Sequence, residues 1–131
     1  MTRRPGGSPP PAAVTLADER RVELAPLLTA IADRYFAEFP SDLERYGAVA
    51  RDWELHDTAH CISWAALDAR GFASLDRNVT WLANILRSRD FPVEQLARNL
   101  ELAADVCAEQ LDATVAARLR DAATLVRSDG G

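Results

Sequence analysis

Leu43, Tyr46, Ala50, Trp53, Asp57, His60, Trp64 and Leu67 follow one another at intervals of 3, 4, 3, 4, 3, 4 and 3. That spacing places all eight on one face of a helix of about 28 residues. No strand has such a period, since strand side chains repeat every second residue. No other segment alternates apolar and polar residues with β-branched character, so the chain is predicted to hold no strands. The fold class is therefore all-α, with five to seven helices joined by short connections, as a bundle or a globin-like packing.

The remaining elements read in the same way. Thr15 and Asp18 signal a helix start. Pro26 is too deep for that helix to continue and opens a second segment, which carries Leu27, Leu28, Ile31, Tyr35, Phe36 and Phe39. Ser41 with Glu44 forms a capping box at the head of the long helix. Gly47 is its weak point, the place for a bend or a break, and Gly71 is its stop. Ser74 caps a helix with Leu75, Val79, Leu82, Ile85 and Leu86. Pro92 opens the next, with Val93, Leu96, Leu100, Ala103, Cys107 and Leu111. Asp112 or Thr114 starts a last helix through Val115, Leu119, Ala122 and Val126, and residues 128–131 are expected to fray.

Residues 1–14 hold four of the seven prolines and little that can be buried, which predicts a disordered arm. The domain then spans residues 15–127, long enough for one hydrophobic core. The arm carries Arg3 and Arg4, so the rest sets 13 arginines against 20 acids, a charge of −7. An acidic domain repels phosphate, and no nucleic-acid partner is expected. The chain contains no lysine, which excludes Schiff-base chemistry. No apolar run reaches membrane-spanning length and the arm lacks an export signal's apolar region, so a cytoplasmic protein is expected, with no membrane. Cys61 and Cys107 form no C-x-x-C pair and read as buried small hydrophobes. Gly-rich phosphate loops and nucleophile elbows are absent, so no enzyme is expected.

The polar break in the long stripe is the candidate site. Asp57 and His60 stand where the pattern calls for apolar residues, between Trp53 and Trp64, with His56 one turn before His60. A buried carboxylate and imidazole are costly unless paired. One reading is a core pair in which Asp57 accepts from His60 and steadies the tryptophans. Another is a ligand pocket lined by Trp53, His56, Asp57, His60, Trp64 and Trp81. A zinc or di-iron site would need ligands that this helix alone cannot aim at one point, and no metal is assigned. The nine aromatics all fall between Tyr35 and Phe91, which predicts a main core built by the middle three helices. The charges from Arg87 to Asp90 read as a solvated face.

The stretch from Asp57 through His60 and Trp64 to Leu67 resembles the chromophore helix of the phycobiliproteins. It resembles more closely a globin-like helical module found upstream of bacterial vitamin B12-binding domains, whose pattern reads D-x-x-H-L-x-Y-L-x-x-A-L. His60 matches its histidine, and Arg89 to Pro92 its connector. The resemblance runs from about Tyr46 to Leu111. It implies a phycobiliprotein-like globin fold and a sensory or regulatory role, with a tetrapyrrole (haem, bilin or cobalamin-like) held noncovalently. It implies His60 as axial ligand or hydrogen-bond partner, and Asp57 as the acid that orients it or binds ring nitrogens. Glu54 stands where phycobiliproteins carry the bilin-attaching cysteine, which excludes covalent attachment there. The D-x-H-x-x-G motif is missing, so any cobalamin role would run through another protein. The rival expectation is a ligand-free helical interaction module that forms a homodimer or recruits a protein partner.

Overall fold

The hydrophobic pattern does place helices along most of the chain. The computed structural model describes residues 9–130. Among them lie six helices: α1 Ala25–Glu38, α2 Ser41–Tyr46, α3 Val49–Ala69, α4 Leu75–Ser88, α5 Val93–Gln110 and α6 Ala113–Gly130. The architecture is all-α apart from one short hairpin, β1 Ala13–Thr15 with β2 Arg21–Glu23.

The hairpin corrects two expectations, that there are no strands and that a helix starts at Thr15. Its strands pair antiparallel with Val14 opposite Val22. Leu16 N–H donates to the Arg20 carbonyl at 2.8 Å across a turn that holds Glu19 at a φ of 72°. Asp18 accepts from the Arg20 N–H and steadies that turn, which is the role its side chain takes instead of a helix start. Val14, Leu16 and Leu24 are buried, and β1 packs on α3. The expected arm of residues 1–14 thus stops short of Ala13, while residues 1–8 lie outside the described residues. Burying three apolar side chains outweighs what this short segment could gain as an isolated helical turn.

The predicted long helix is broken. Gly47 adopts a φ of 72°, with its N–H on the Leu43 carbonyl, and separates α2 from α3. A residue without a Cβ takes that conformation at low cost. Ser41 lies inside α2 and makes no capping bond. The other punctuation falls as its chemistry directs. Pro26 sits in the first turn of α1, and Gly71, at φ 79°, closes α3 as Phe72 N–H reaches back to the Leu67 carbonyl. Ser74 Oγ accepts from Arg77 N–H, and Asp112 Oδ2 from Val115 N–H, at 3.2 and 3.1 Å. The helix α6 runs through Gly130, and residue 131 of the end expected to fray lies outside the described residues.

The core centres on α5 and α6, which fold back on one another across Leu111 and Asp112 and make the most extensive helix contact. Leu100, Val106, Cys107, Val115 and Leu119 are essentially inaccessible there. Alanines 97, 103, 104, 116, 122 and 123 line the same faces, and such small side chains let two helices approach closely. This corrects the expectation that the aromatic middle helices build the main core. Of the nine aromatics only Tyr35 is buried. A tight alanine-rich interface has no room for large rings, so they collect at its margin. On α3 the least accessible residues are Thr58, Ala59, Cys61, Ile62, Ala65 and Ala66, beside the predicted stripe rather than on it.

Asp68 ties this frame together at the end of α3. Its Oδ2 accepts from Leu75 N–H at 2.8 Å, and its Oδ1 from Arg118 Nε at 2.9 Å. The two bonds hold its carboxyl below the usual range, the backbone bond contributing most. One side chain thereby sets the start of α4 and docks α6 against α3.

Candidate ligand-binding cleft

Since α3 buries its alanine face, its Trp53–Trp64 edge is turned toward α4. A cleft of about 590 Å³ lies between the two helices. All six residues singled out in the sequence line it: Trp53, His56, Asp57, His60 and Trp64 from α3, and Trp81 from α4. Leu82, Ile85 and Leu86 supply an apolar wall from α4, and Arg89 closes one end.

Four rings form a ladder along α3. Trp53 and His56 meet edge to face with centroids 5.9 Å apart, His56 and His60 at 4.7 Å, and His60 and Trp64 at 5.9 Å with a tilt of 33°. Their positions, three, four and four residues apart, are those at which helical side chains stack. The Arg89 guanidinium lies over the Trp53 ring at 5.6 Å, within cation–π range. Arg89 is exposed as the sequence predicts, yet it also packs on the cleft. Trp81 is 59% exposed and stands at the rim.

Asp57 Oδ1 lies 2.9 Å from His56 Nδ1, a pairing that the sequence reading did not name. A carboxylate only accepts, so Nδ1 is the donor, and Nε2 lies on the opposite side of the ring. That Nε2 is buried and has no hydrogen-bond partner among the described residues. His60 contributes its ring to the ladder between His56 and Trp64.

Behind the cleft is a smaller chamber of about 50 Å³, which shares Trp53, Asp57 and Leu86 with it. Its polar lining comes from four helices. Tyr35 Oη of α1 donates to Asp42 Oδ2 of α2 at 2.5 Å, and Gln95 Nε2 of α5 contacts Asp42 Oδ2 at 2.9 Å and Tyr35 Oη at 2.8 Å. Thr58 Oγ1 donates to Glu54 Oε2 at 3.0 Å and accepts from Asn99 Nδ2 at 2.9 Å. Burial pushes Glu54 up to about 8, with Asp57 and Asp42 adding to the rise and the Thr58 bond and Arg51 opposing it. Phe91 reaches the chamber because α4 ends with Asp90 at φ 57° and Phe91 N–H on the Leu86 carbonyl, which turns the chain back toward Tyr46.

Sequence reasoning missed this chamber. Asn99 inside the Leu96–Leu100 stripe was a visible signal, as was the i,i+4 pair of Glu54 and Thr58. Asp42 and Gln95 offered none, because their meeting depends on how α2 and α5 dock. Cys61 is fully buried, and burial raises its thiol far above the usual range; Cys107 is pushed up to about 12. Neither is a nucleophile under such conditions. Among the described residues no group of three or more His, Cys, Asp or Glu side chains is placed to hold a metal ion. None of the described helices is long and apolar enough to cross a membrane.

Comparison of the chain with protein-family models, with curated proteins and with solved structures gives no match.

Proposed function

We propose that this chain is a non-catalytic sensor or regulatory module that holds a flat conjugated ligand noncovalently between α3 and α4, with a tetrapyrrole as the ligand class. The reading is carried by one observation: six residues singled out for their chemistry converge on a single cleft with a ladder of rings along one wall. Its volume lies within the range of about 300–1,000 Å³ common to small-molecule sites. A planar ligand would lie along the imidazole and indole edges, with Trp81 at the rim. The lining fits the group: His56 offers a buried, unpartnered Nε2, His60 a second imidazole, and Asp57 a carboxylate for ring N–H donors. A phycobiliprotein-like globin ancestry belongs to the same proposal. Occupation of the cleft would bias the packing of α4 against α3 and so the face shown to a partner.

The test is an ultraviolet–visible titration of the chain with haemin, biliverdin and cobalamin, alongside His60→Ala and His56→Ala. A saturable band that either substitution removes is expected for one of the three. Three flat titrations would sink the assignment.

A second reading is a helical interaction module with no small ligand. It draws on Trp81 and on Phe72, which are 59% and 70% exposed. It predicts an oligomer by light scattering that Trp81→Ala dissolves; a monomer at every concentration, with no captured partner, would count against it.

A further inference from the structure

The chamber behind Trp53 is built from acceptors. Asp42, Glu54 and Asp57 bring three carboxyl groups to it, and no arginine is among its lining residues. Four donors around it hold partners: Tyr35 and Gln95 on Asp42, Thr58 on Glu54, and Asn99 on Thr58. One acceptor stands out. Asn99 is 6% exposed and lines the chamber, and its Oδ1 is buried with no hydrogen-bond partner among the described residues. A buried carbonyl without a donor is costly, and here it borders a space of about 50 Å³. Tyr46, Trp53 and Phe91 add aromatic rings to the same lining, and ring faces attract cations.

We propose that this chamber is a head-group subsite for a protonated primary amine, whose flat apolar body lies in the adjoining α3/α4 cleft. The inference rests on the reading of that cleft as a site for a flat ligand and departs from it in ligand class, because haem and bilins end in carboxylates and not in an amine. An ammonium group is compact and carries three donors and no acceptor, which complements Asn99 Oδ1 and the carboxylates of Asp57 and Glu54. Trp53 and Asp57 line both spaces, so one molecule can present its ring to the ladder and its charge to the chamber. A neutral alcohol would satisfy Asn99 but bring no charge to Asp57, and Glu54 would keep its proton. A carboxylate would be repelled.

Glu54 supplies a second readout. Facing it are Tyr35 from α1, Asp42 from α2 and Arg51 and Asp57 from its own helix, with neutral Gln95 and Asn99 from α5 and Leu86 from α4. Near neutral pH its carboxyl holds a proton, and an arriving ammonium favours the ionised form. Binding of the amine is therefore accompanied by proton release.

The experiment is isothermal titration calorimetry of the full chain near neutral pH with tryptamine, tryptophol and indole-3-propionate, which share a ring and differ in the head. Tryptamine is expected to bind at least about tenfold more tightly than tryptophol, and indole-3-propionate more weakly than either. Repeating the tryptamine titration in phosphate and in Tris should reveal net proton release. Glu54→Gln should abolish the release, and both Glu54→Gln and Asn99→Ala should shrink the tryptamine advantage while sparing tryptophol. Tryptophol binding at least as tight as tryptamine overturns the subsite. So does an advantage left intact in both variants, folded by circular dichroism. If neither variant folds, the comparison of the three probes on the unaltered chain decides. Tryptophol binding that depends on Trp81 without any ammonium preference would leave the cleft standing and remove the subsite. Failure of all three probes removes the subsite too, while the cleft itself is judged by the haemin, biliverdin and cobalamin titrations.

Discussion

His56 Nδ1 lies 2.9 Å from Asp57 Oδ1, a bond between sequence neighbours that leaves the opposite nitrogen of the ring buried and without a partner among the described residues. Neighbours on a helix point about 100° apart, so such a pair forms only when both side chains lean toward one space. The space here is the cleft between α3 and α4.

Substituting Trp81 should separate binding from folding. The side chain is 59% exposed, so Trp81→Ala is expected to change stability by no more than about 0.5 kcal/mol. If the cleft holds a flat ligand, the same change removes the aromatic rim and weakens binding by about 10- to 100-fold. Thermal unfolding and the absorbance titration would be run on the same sample. Unchanged affinity would show that the ligand does not use the rim.

Val14 tests the hairpin. A residue in a disordered arm tolerates a charge, whereas Val14 is 5% exposed against α3. Val14→Asp is expected to destabilise the fold by about 2–4 kcal/mol in urea titrations followed by circular dichroism. A loss within error of zero would return residues 13 and 14 to the arm.

Glu54 predicts a pH dependence of stability. Its carboxyl is raised from the ordinary 4.5 to about 8 by burial, so the folded state holds a proton that the unfolded state releases. The stability contribution is full below the unfolded value and declines as pH rises through the window from about 4.5 to about 8. Urea midpoints for the unaltered chain should fall across that window, and the fall should flatten in Glu54→Gln. Parallel profiles for the two proteins would show that another group is responsible.

Asp68 carries the opposite sign. The Leu75 N–H and then Arg118 lower its carboxyl, so its contribution is present above the unfolded carboxylate range and is lost as pH falls through the folded value. Asp68→Ala removes a bond to the head of α4 and an ion pair to α6. It is expected to cost about 1–3 kcal/mol near neutral pH and less in acid. Equal costs at both would exclude the charged form as the source.

The helices were legible because their signals are local. The 3.6-residue period of Leu96, Leu100, Ala103 and Cys107, the caps at Ser74 and Asp112, and the left-handed glycines at 47 and 71 depend on residues within one or two turns. The hairpin was not, because β1 gains its stability from α3, far along the chain, and three-residue strands show no period of their own.

The candidate site divides along the same line. The sequence alone determined that Trp53, His56, Asp57, His60 and Trp64 share one edge of a helix, since spacing on a helix is fixed by its geometry. It also singled out Trp81 as a further member. Only the tertiary structure decided that this edge borders a cleft instead of the core. Alanines draw α5 and α6 together and leave α3 and α4 to meet through large rings that cannot close the gap. The chamber behind it, where Tyr35, Asp42, Glu54 and Asn99 gather from four helices, exists only after those helices dock, because no local interaction brings such distant residues together.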